Sequence, residues 1–216
     1  MSATPRLTRK EQQARTRATL LESASHVFAE KGLHRASIDD IASHAGFTKG
    51  AFYANFSSKE ELFLEMLDLH FAERLAAIEQ FTSTDEAITA QAEQVGREFL
   101  AALRGDEEWA RLFLEFSSHA TRHEAFRREL VARTDALRAG VTKILAARAH
   151  EAGITPTVPP ALVARMTFAM AHGAATEQLL DDTTPSELFG TMLRLFFLGL
   201  TADAATPADP KDAHGH

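Results

Sequence analysis

The chain has 216 residues, seven prolines, no cysteine and a net charge of −7. That length can bury a core without covalent staples and suits two domains, and the missing cysteines exclude disulfides and thiolate metal sites. No run of about 18 apolar residues argues for a membrane span, and the N-terminal stretch lacks the apolar region of a secretory signal, so a cytoplasmic protein is expected.

The charge is unevenly distributed. Residues 1–59 carry nine Lys or Arg against five acids, whereas the remainder carries 14 against 25. A basic head on an acidic body fits a protein whose head alone approaches phosphates.

Residues 1–8 read as a flexible arm. Ala14, Ala18, Leu21, Ala24 or Ser25, and Phe28 recur on one helical face and predict a helix over 9–31. Gly32 ends it, and Leu33 is expected to pack back on Phe28. Ser37, with Asp40 three residues on, starts a short helix through a short-armed capping box, with Ile38, Ile41, Ala42 and Ala45 inward. Gly46 can take the left-handed conformation that stops this helix, and the turn Gly46-Phe47-Thr48 leads to Thr48 as N-cap of the next, over 49–56. Phe52 and Phe56 fill the core from that helix, leaving Lys49, Gly50, Tyr53 and Asn55 nearer the outside. Ser58 to Glu61 is a full S-x-x-E box opening a long helix through Leu62, Phe63, Met66 and Leu69. Two short helices around a tight turn form a helix-turn-helix of the DNA-binding kind.

The later chain stays helical. Thr82-Ser83-Thr84 is a break. Ile88, Ala92, Val95 and Phe99 mark a helix ended by Gly105. Trp109, Leu112, Phe113 and Phe116 form a very apolar face on the next. Phe126, Leu130, Thr134, Leu137, Val141 and Ile144 mark a longer one, ended by Gly153, in which Gly140 allows a close crossing. After the loop Thr155 to Pro160, a helix over 161–180 contains the small-residue run Met170 to Ala175. The last helix opens with Thr184-Pro185-Ser186-Glu187, a capping box with proline at the first helical position. Its Leu188, Phe189, Met192, Leu193, Leu195, Phe196, Phe197 and Leu200 cover an arc of about 200°, wider than one core-facing stripe needs. Such a helix is either sunk in its own chain or half of a dimer interface. Residues 203–216 read as a disordered tail.

In fixed order, Phe28 to Gly32, Ser37 to Ala42, Ala45 to Tyr53 and Asn55 to Leu62 resemble the N-terminal domain of the tetracycline-repressor (TetR) family of transcriptional regulators. The resemblance covers about residues 9–69. Ser37 stands where that family more often has threonine, and Asn55 where an aromatic residue or histidine is common. The resemblance implies an all-α fold, with a helix-turn-helix DNA-binding domain over 9–58 and a helical effector-binding and dimerisation domain over 59–202. It also favours a homodimer joined through its last two helices.

Thr48, as N-cap, leaves backbone N–H groups free for a phosphate. Lys49 and Lys59 stand at first helical positions, where a cation opposes the macrodipole and an external anion would explain it. By resemblance, Ser37, Tyr53 and Lys59 contact phosphates. Gly50 lets the backbone approach the base pairs, Ala51 can touch a thymine methyl, Lys49 can reach guanine and Asn55 is a further polar reader. Close packing within the head is the other reading of Gly50 and Ala51. Arg6, Arg9 and Lys10 add contacts from the arm. A homodimer would bind a palindromic operator on double-stranded DNA. The body would hold a small, largely apolar effector, with Phe99, Trp109, Phe113, Phe116, Met166, Met170 and His172 as candidates.

An enzyme is not expected. His119 and His123 are spaced i and i+4, but no His-Glu-x-x-His pattern accompanies them, and there is no nucleophile motif or phosphate-cradling glycine loop. No metal or cofactor is predicted. A third possibility is a dimeric helical adaptor whose head binds protein.

Overall fold

A computed structural model describes residues 8–82, 86–105 and 107–204. Among them the regular elements are helices: α1 (Arg9–Arg35), α2 (Ile38–His44), α3 (Lys49–Tyr53), α4 (Lys59–Thr82), α5 (Ile88–Gly105), α6 (Glu107–Ala120), α7 (Glu124–Glu151), α8 (Pro160–Leu180) and α9 (Leu188–Ala204). No described helix is long and apolar enough to cross a membrane. The described residues fall into two compact units. The first runs up to Phe71 and adds Glu107–Arg133; the second holds Ala72 to Gly105 and the chain from Thr134 onward.

In the first unit α1 opens with a capping box between Thr8 and Glu11, whose carboxylate accepts from the Thr8 backbone N–H at 2.7 Å. These hydrogen bonds hold the Glu11 carboxyl below its usual range. Ala14 and Ala18 are exposed, contrary to the sequence reading. The start of α1 is held by its cap rather than by burial, and the buried stripe is Leu20, Ser23, Ala24, Val27 and Phe28. Gly32 breaks the helix as expected, at φ 71° and ψ 170°, and Leu33 sinks into the same core as Phe28. That core is largely aromatic. The Phe63 ring of α4 stacks on Phe116 of α6 with centroids 3.5 Å apart, Phe28 of α1 meets Phe116 edge-on at 5.7 Å, and Phe126 of α7 is 5.7 Å from Phe116. Along α4, Leu62, Phe63, Met66 and Leu67 are buried, but Leu69 is 55% exposed, one position off the face that the pattern assigned to it.

In the second unit α5 and α9 cross in close backbone contact. A Cβ on Gly96 would lie 2.5 Å from Gly190 Cα, so any side chain there forces the helices apart. Gly140 makes the close crossing its position predicts, since a Cβ would lie 2.7 Å from the Leu75 side chain. Leu137 and Val141 of the expected α7 row are buried beside it. Buried polar groups are held by arginines that the apolar pattern cannot reveal. Arg104 donates to Gln178 Oε1 at 3.2 Å and to the Thr184 carbonyl at 2.8 Å, and Arg148 to Gln91 Oε1 at 3.3 Å.

The last helix starts at Leu188, not at Pro185. Thr184 does not cap it, because its hydroxyl donates to the Glu177 carbonyl of α8 at 3.2 Å. Asp203 and Ala204 are still helical, contrary to the tail read from 203, and the remainder of that stretch lies outside the described residues. The arm's Arg6 and most of the Thr82–Thr84 break also lie outside them. His119 and His123 do not share a helix face: they sit on either side of the α6–α7 turn, with rings stacked at 3.9 Å.

Candidate nucleic-acid interface

The α2–turn–α3 segment is set up by local hydrogen bonds. Ser37 and Asp40 form the expected capping box: the Ser37 hydroxyl accepts from the Asp40 N–H at 3.1 Å, and the Asp40 carboxylate accepts from the Ser37 N–H at 2.9 Å. The Lys31 ammonium, 2.7 Å from Asp40, and the Ser37 donors hold the Asp40 carboxyl far below its usual range. Gly46 takes φ 73°, which a residue with a Cβ rarely adopts, and so turns the chain after α2. Thr48 then caps α3, its hydroxyl accepting from the Ala51 N–H at 3.2 Å.

Helix α3 is five residues long, shorter than the 49–56 span read from the pattern. It ends because the Asn55 backbone N–H bonds Phe52 O at 2.8 Å, leaving the Ala51 carbonyl without its helical donor. The Asn55 side chain supplies that donor, with Nδ2 2.8 Å from Ala51 O. Asn55 is therefore half-buried and turned back on its own helix, not placed outward as expected. Phe52 and Phe56 are buried as expected.

Ser37, Thr48, Lys49, Gly50 and Tyr53 are all exposed, while Ala51 and Lys59 are half-buried. The Tyr53 ring meets Phe52 edge-on at 5.8 Å, yet the residue is 52% exposed. At Gly50 the nearest atom to an added Cβ is Thr48 Oγ1 at 3.7 Å, so packing within the head does not demand glycine there. Lys49 departs from expectation: Asp39, 2.8 Å away, supplies the anion and raises the lysine's pKa. Both partners are more than half exposed, so water and salt screen the pair and leave it open to exchange. Lys59 is also engaged within the fold, donating to Leu33 O at 2.6 Å and Ala36 O at 3.1 Å. Two of its three donors are used.

Arg17 was legible only as one of the head's positive charges. Its guanidinium pairs with the Glu65 carboxylate of α4, donates to the Asn55 carbonyl, and lies 4.2 Å from the Phe56 ring centroid. One side chain from α1 thus fixes the residues just after α3. Of the effector candidates, Trp109, Phe113 and Phe116 belong to the first unit, and Phe99, Met166, Met170 and His172 to the second. Phe116 is closed within the aromatic core, Met166 and His172 are exposed, and Phe99 packs on Phe189 at 5.1 Å.

Two family models match the chain: that of the bacterial regulatory proteins of the tetR family over residues 20–66, and that of the C-terminal domain of BetI-type transcriptional repressors over 88–202. YfiR, an uncharacterized HTH-type transcriptional regulator of Bacillus subtilis (strain 168), is 26% identical over 86% of this chain and 90% of its own. Salmonella enterica GusR has a similar fold, with a TM-score of 0.70 at 22% identity, covering 92% of this chain and all of that one. A structure of the transcriptional regulator FadR from Bacillus subtilis in complex with stearoyl-CoA superposes with a TM-score of 0.68 at 18% identity, over 83% of this chain and 96% of that one. The chain belongs to the tetR family of bacterial regulatory proteins and is a DNA-binding transcriptional regulator.

Proposed function

We propose that the protein is a cytoplasmic homodimeric repressor that reads a palindromic operator through residues 9–58 and is released by a small, largely apolar effector held within residues 59–202. The observation that carries the DNA reading is the exposed row of Ser37, Thr48, Lys49, Gly50 and Tyr53, in which no internal packing accounts for Gly50. In this reading the Ser37 and Thr48 hydroxyls and the Tyr53 phenol meet phosphates, whereas Lys59 is engaged within the head by the Leu33 and Ala36 carbonyls. Lys49 leaves Asp39 for guanine acceptors, and Ala51 faces a thymine methyl. Asn55 acts by ending α3 rather than by reading a base.

The dimer reading rests on α8 and α9. Leu162, Met166 and Leu180 on α8 are 48%, 41% and 80% exposed, and Leu195 and Leu198 on α9 are 55% and 50% exposed. Gly173 and Gly199 have nothing within 4 Å of an added Cβ, so a partner helix can approach there. An apolar surface of this kind on two helices fits a four-helix interface between copies. Repression is favoured by the BetI-type match over the C-terminal part. An apolar effector is favoured by the half-buried Phe99 and Met170 of the second unit and by the stearoyl-CoA held by FadR, which has a similar fold.

Selection of bound duplexes from a random pool tests this directly. The expected product is a palindrome whose half-sites are spaced by about one helical turn or a multiple of it. Binding of a single asymmetric half-site by monomer would sink the reading, and a flat salt response would count against the phosphate contacts.

A further inference from the structure

Helix α1 does not run straight into α2. It breaks at Gly32, and the short stretch from Leu33 to Ala36 fixes the direction in which the chain enters the cap at Ser37. Leu33 has its side chain in the core and both backbone groups bound by charged side chains from other helices. Its N–H donates to Glu115 Oε2 of α6 at 2.6 Å, and its carbonyl accepts from Lys59 Nζ, the first residue of α4, at 2.6 Å. Lys59 also reaches Ala36 O at 3.1 Å, so the residue that follows the helix-turn-helix is tied to the residue that precedes it. Glycine is required at 32 for two reasons. Its φ is +71°, and a Cβ would lie 3.1 and 3.2 Å from the Glu115 carboxylate oxygens, in the path by which that carboxylate reaches Leu33.

We propose that Lys59 and Glu115 are positioning residues for DNA binding: together they clamp the Leu33 peptide and so set the orientation of α2 and of the reading face behind it. Hydrogen bonds with one ionised partner are the stronger kind, and this pair meets one residue from opposite sides. Lys59 then acts on operator affinity through the fold, rather than through a phosphate. Because Glu115 lies on α6, a shift of α6 along α1 would act on this peptide as well as on the ring contact between Phe116 and Phe28.

The inference rests on the head being the DNA-binding unit. Its test uses the full chain, the duplex obtained from the random pool, and the variants Glu115→Ala, Glu115→Gln and Lys59→Met. Operator affinity is measured across a salt series, and amide exchange is followed at Leu33, Val27 and Phe28. Glu115→Ala and Lys59→Met should each weaken binding by about tenfold at every salt concentration, with the salt slope unchanged. A lost phosphate contact would instead lower the slope by about 0.9. Glu115→Gln keeps an acceptor oxygen and should bind close to the wild type. The Leu33 amide should exchange faster in Glu115→Ala and not in Glu115→Gln, while Val27 and Phe28 stay protected. Loss of that core protection in Glu115→Ala would leave Lys59→Met to decide. A lowered slope in Lys59→Met, or full affinity in a folded Glu115→Ala, overturns the clamp. A wild-type chain that selects no duplex overturns the DNA reading itself, a different result from either.

Discussion

In the first unit the large rings face one another, with Phe63, Phe116, Phe28 and Phe126 closing a core around α1, α4, α6 and α7. In the second unit α8 and α9 turn Leu162, Met166, Leu180, Leu195 and Leu198 outward. What the first unit exposes around α3 is polar. Monomers seldom leave as many large apolar side chains on neighbouring helices in water as α8 and α9 do. The contrast fits the proposed division of partners, a polyanion for the unit that holds α3 and a second copy of the chain for the unit that holds α8 and α9. It can be broken by making either end behave like its opposite.

The largest effect is expected from charging the second unit's outer face. Met166→Glu combined with Leu195→Glu should yield monomer in sedimentation experiments. Because one head then binds without its twin, operator affinity should fall by about 10²–10⁴. A double variant that remains dimeric would move the interface elsewhere. Next in size is the glycine crossing. Gly96→Ala drives a methyl toward Gly190, and overpacking of this kind costs about 1–3 kcal/mol. That should lower Tm by about 3–10 °C for a chain of this size. Amide protection should drop in α5 and α9 while Val27 and Phe28 keep theirs; an unchanged Tm would mean that the two helices separate freely.

A smaller effect falls on the head's exposed face. Tyr53→Ala removes a half-exposed ring that meets Phe52 edge-on, so thermal stability should hold while operator affinity drops about tenfold, the loss of one good polar contact. If the head binds a protein instead of DNA, operator-dependent activity will be indifferent to this change. The variant thus separates the regulator from the adaptor reading.

Much of this was legible in sequence because it is local. The Ser37–Asp40 box, the turn glycines at 32 and 46 and the cap at Thr48 each depend on residues within a few positions of one another. The apolar row from Phe126 to Val141 was readable for the same reason, since a helix repeats its face every few residues. What escaped is what depends on a partner far along the chain. Arg17 counted only toward the head's charge, Lys59 was assigned to a phosphate and Glu115 carried no structural reading, because their targets lie 48, 26 and 82 residues away. Gly96 reads only as a weak helix former until Gly190 is set against it. The start of α9 was misread by the same failing. Thr184 has the right sequence to cap, but a carbonyl on α8 takes its hydroxyl, and nothing in the Thr184–Glu187 motif records that competitor.

The smallest predicted effect concerns His119, at the end of α6. Its side chain is 15% exposed, its ring stacks on His123 at 3.9 Å, and Nε2 lies 3.7 Å from Glu60 Oε1. Burial first, then the nearby His123, holds its pKa below the usual histidine value; Glu60 opposes this, while His34 and Lys59 add to it. Folding therefore favours the neutral ring. This stabilisation is fully present above the unfolded pKa of about 6.5 and is lost as pH falls through the lower folded value. His119→Gln cannot take up the proton. Its Tm should parallel the wild type above about pH 7, whereas between about pH 6.5 and 5 the wild type should fall further, by about 1–3 °C. Equal slopes would mean that the ring takes up its proton in the folded chain as readily as in the unfolded one, and that the α6–α7 corner is more open to water than its packing implies.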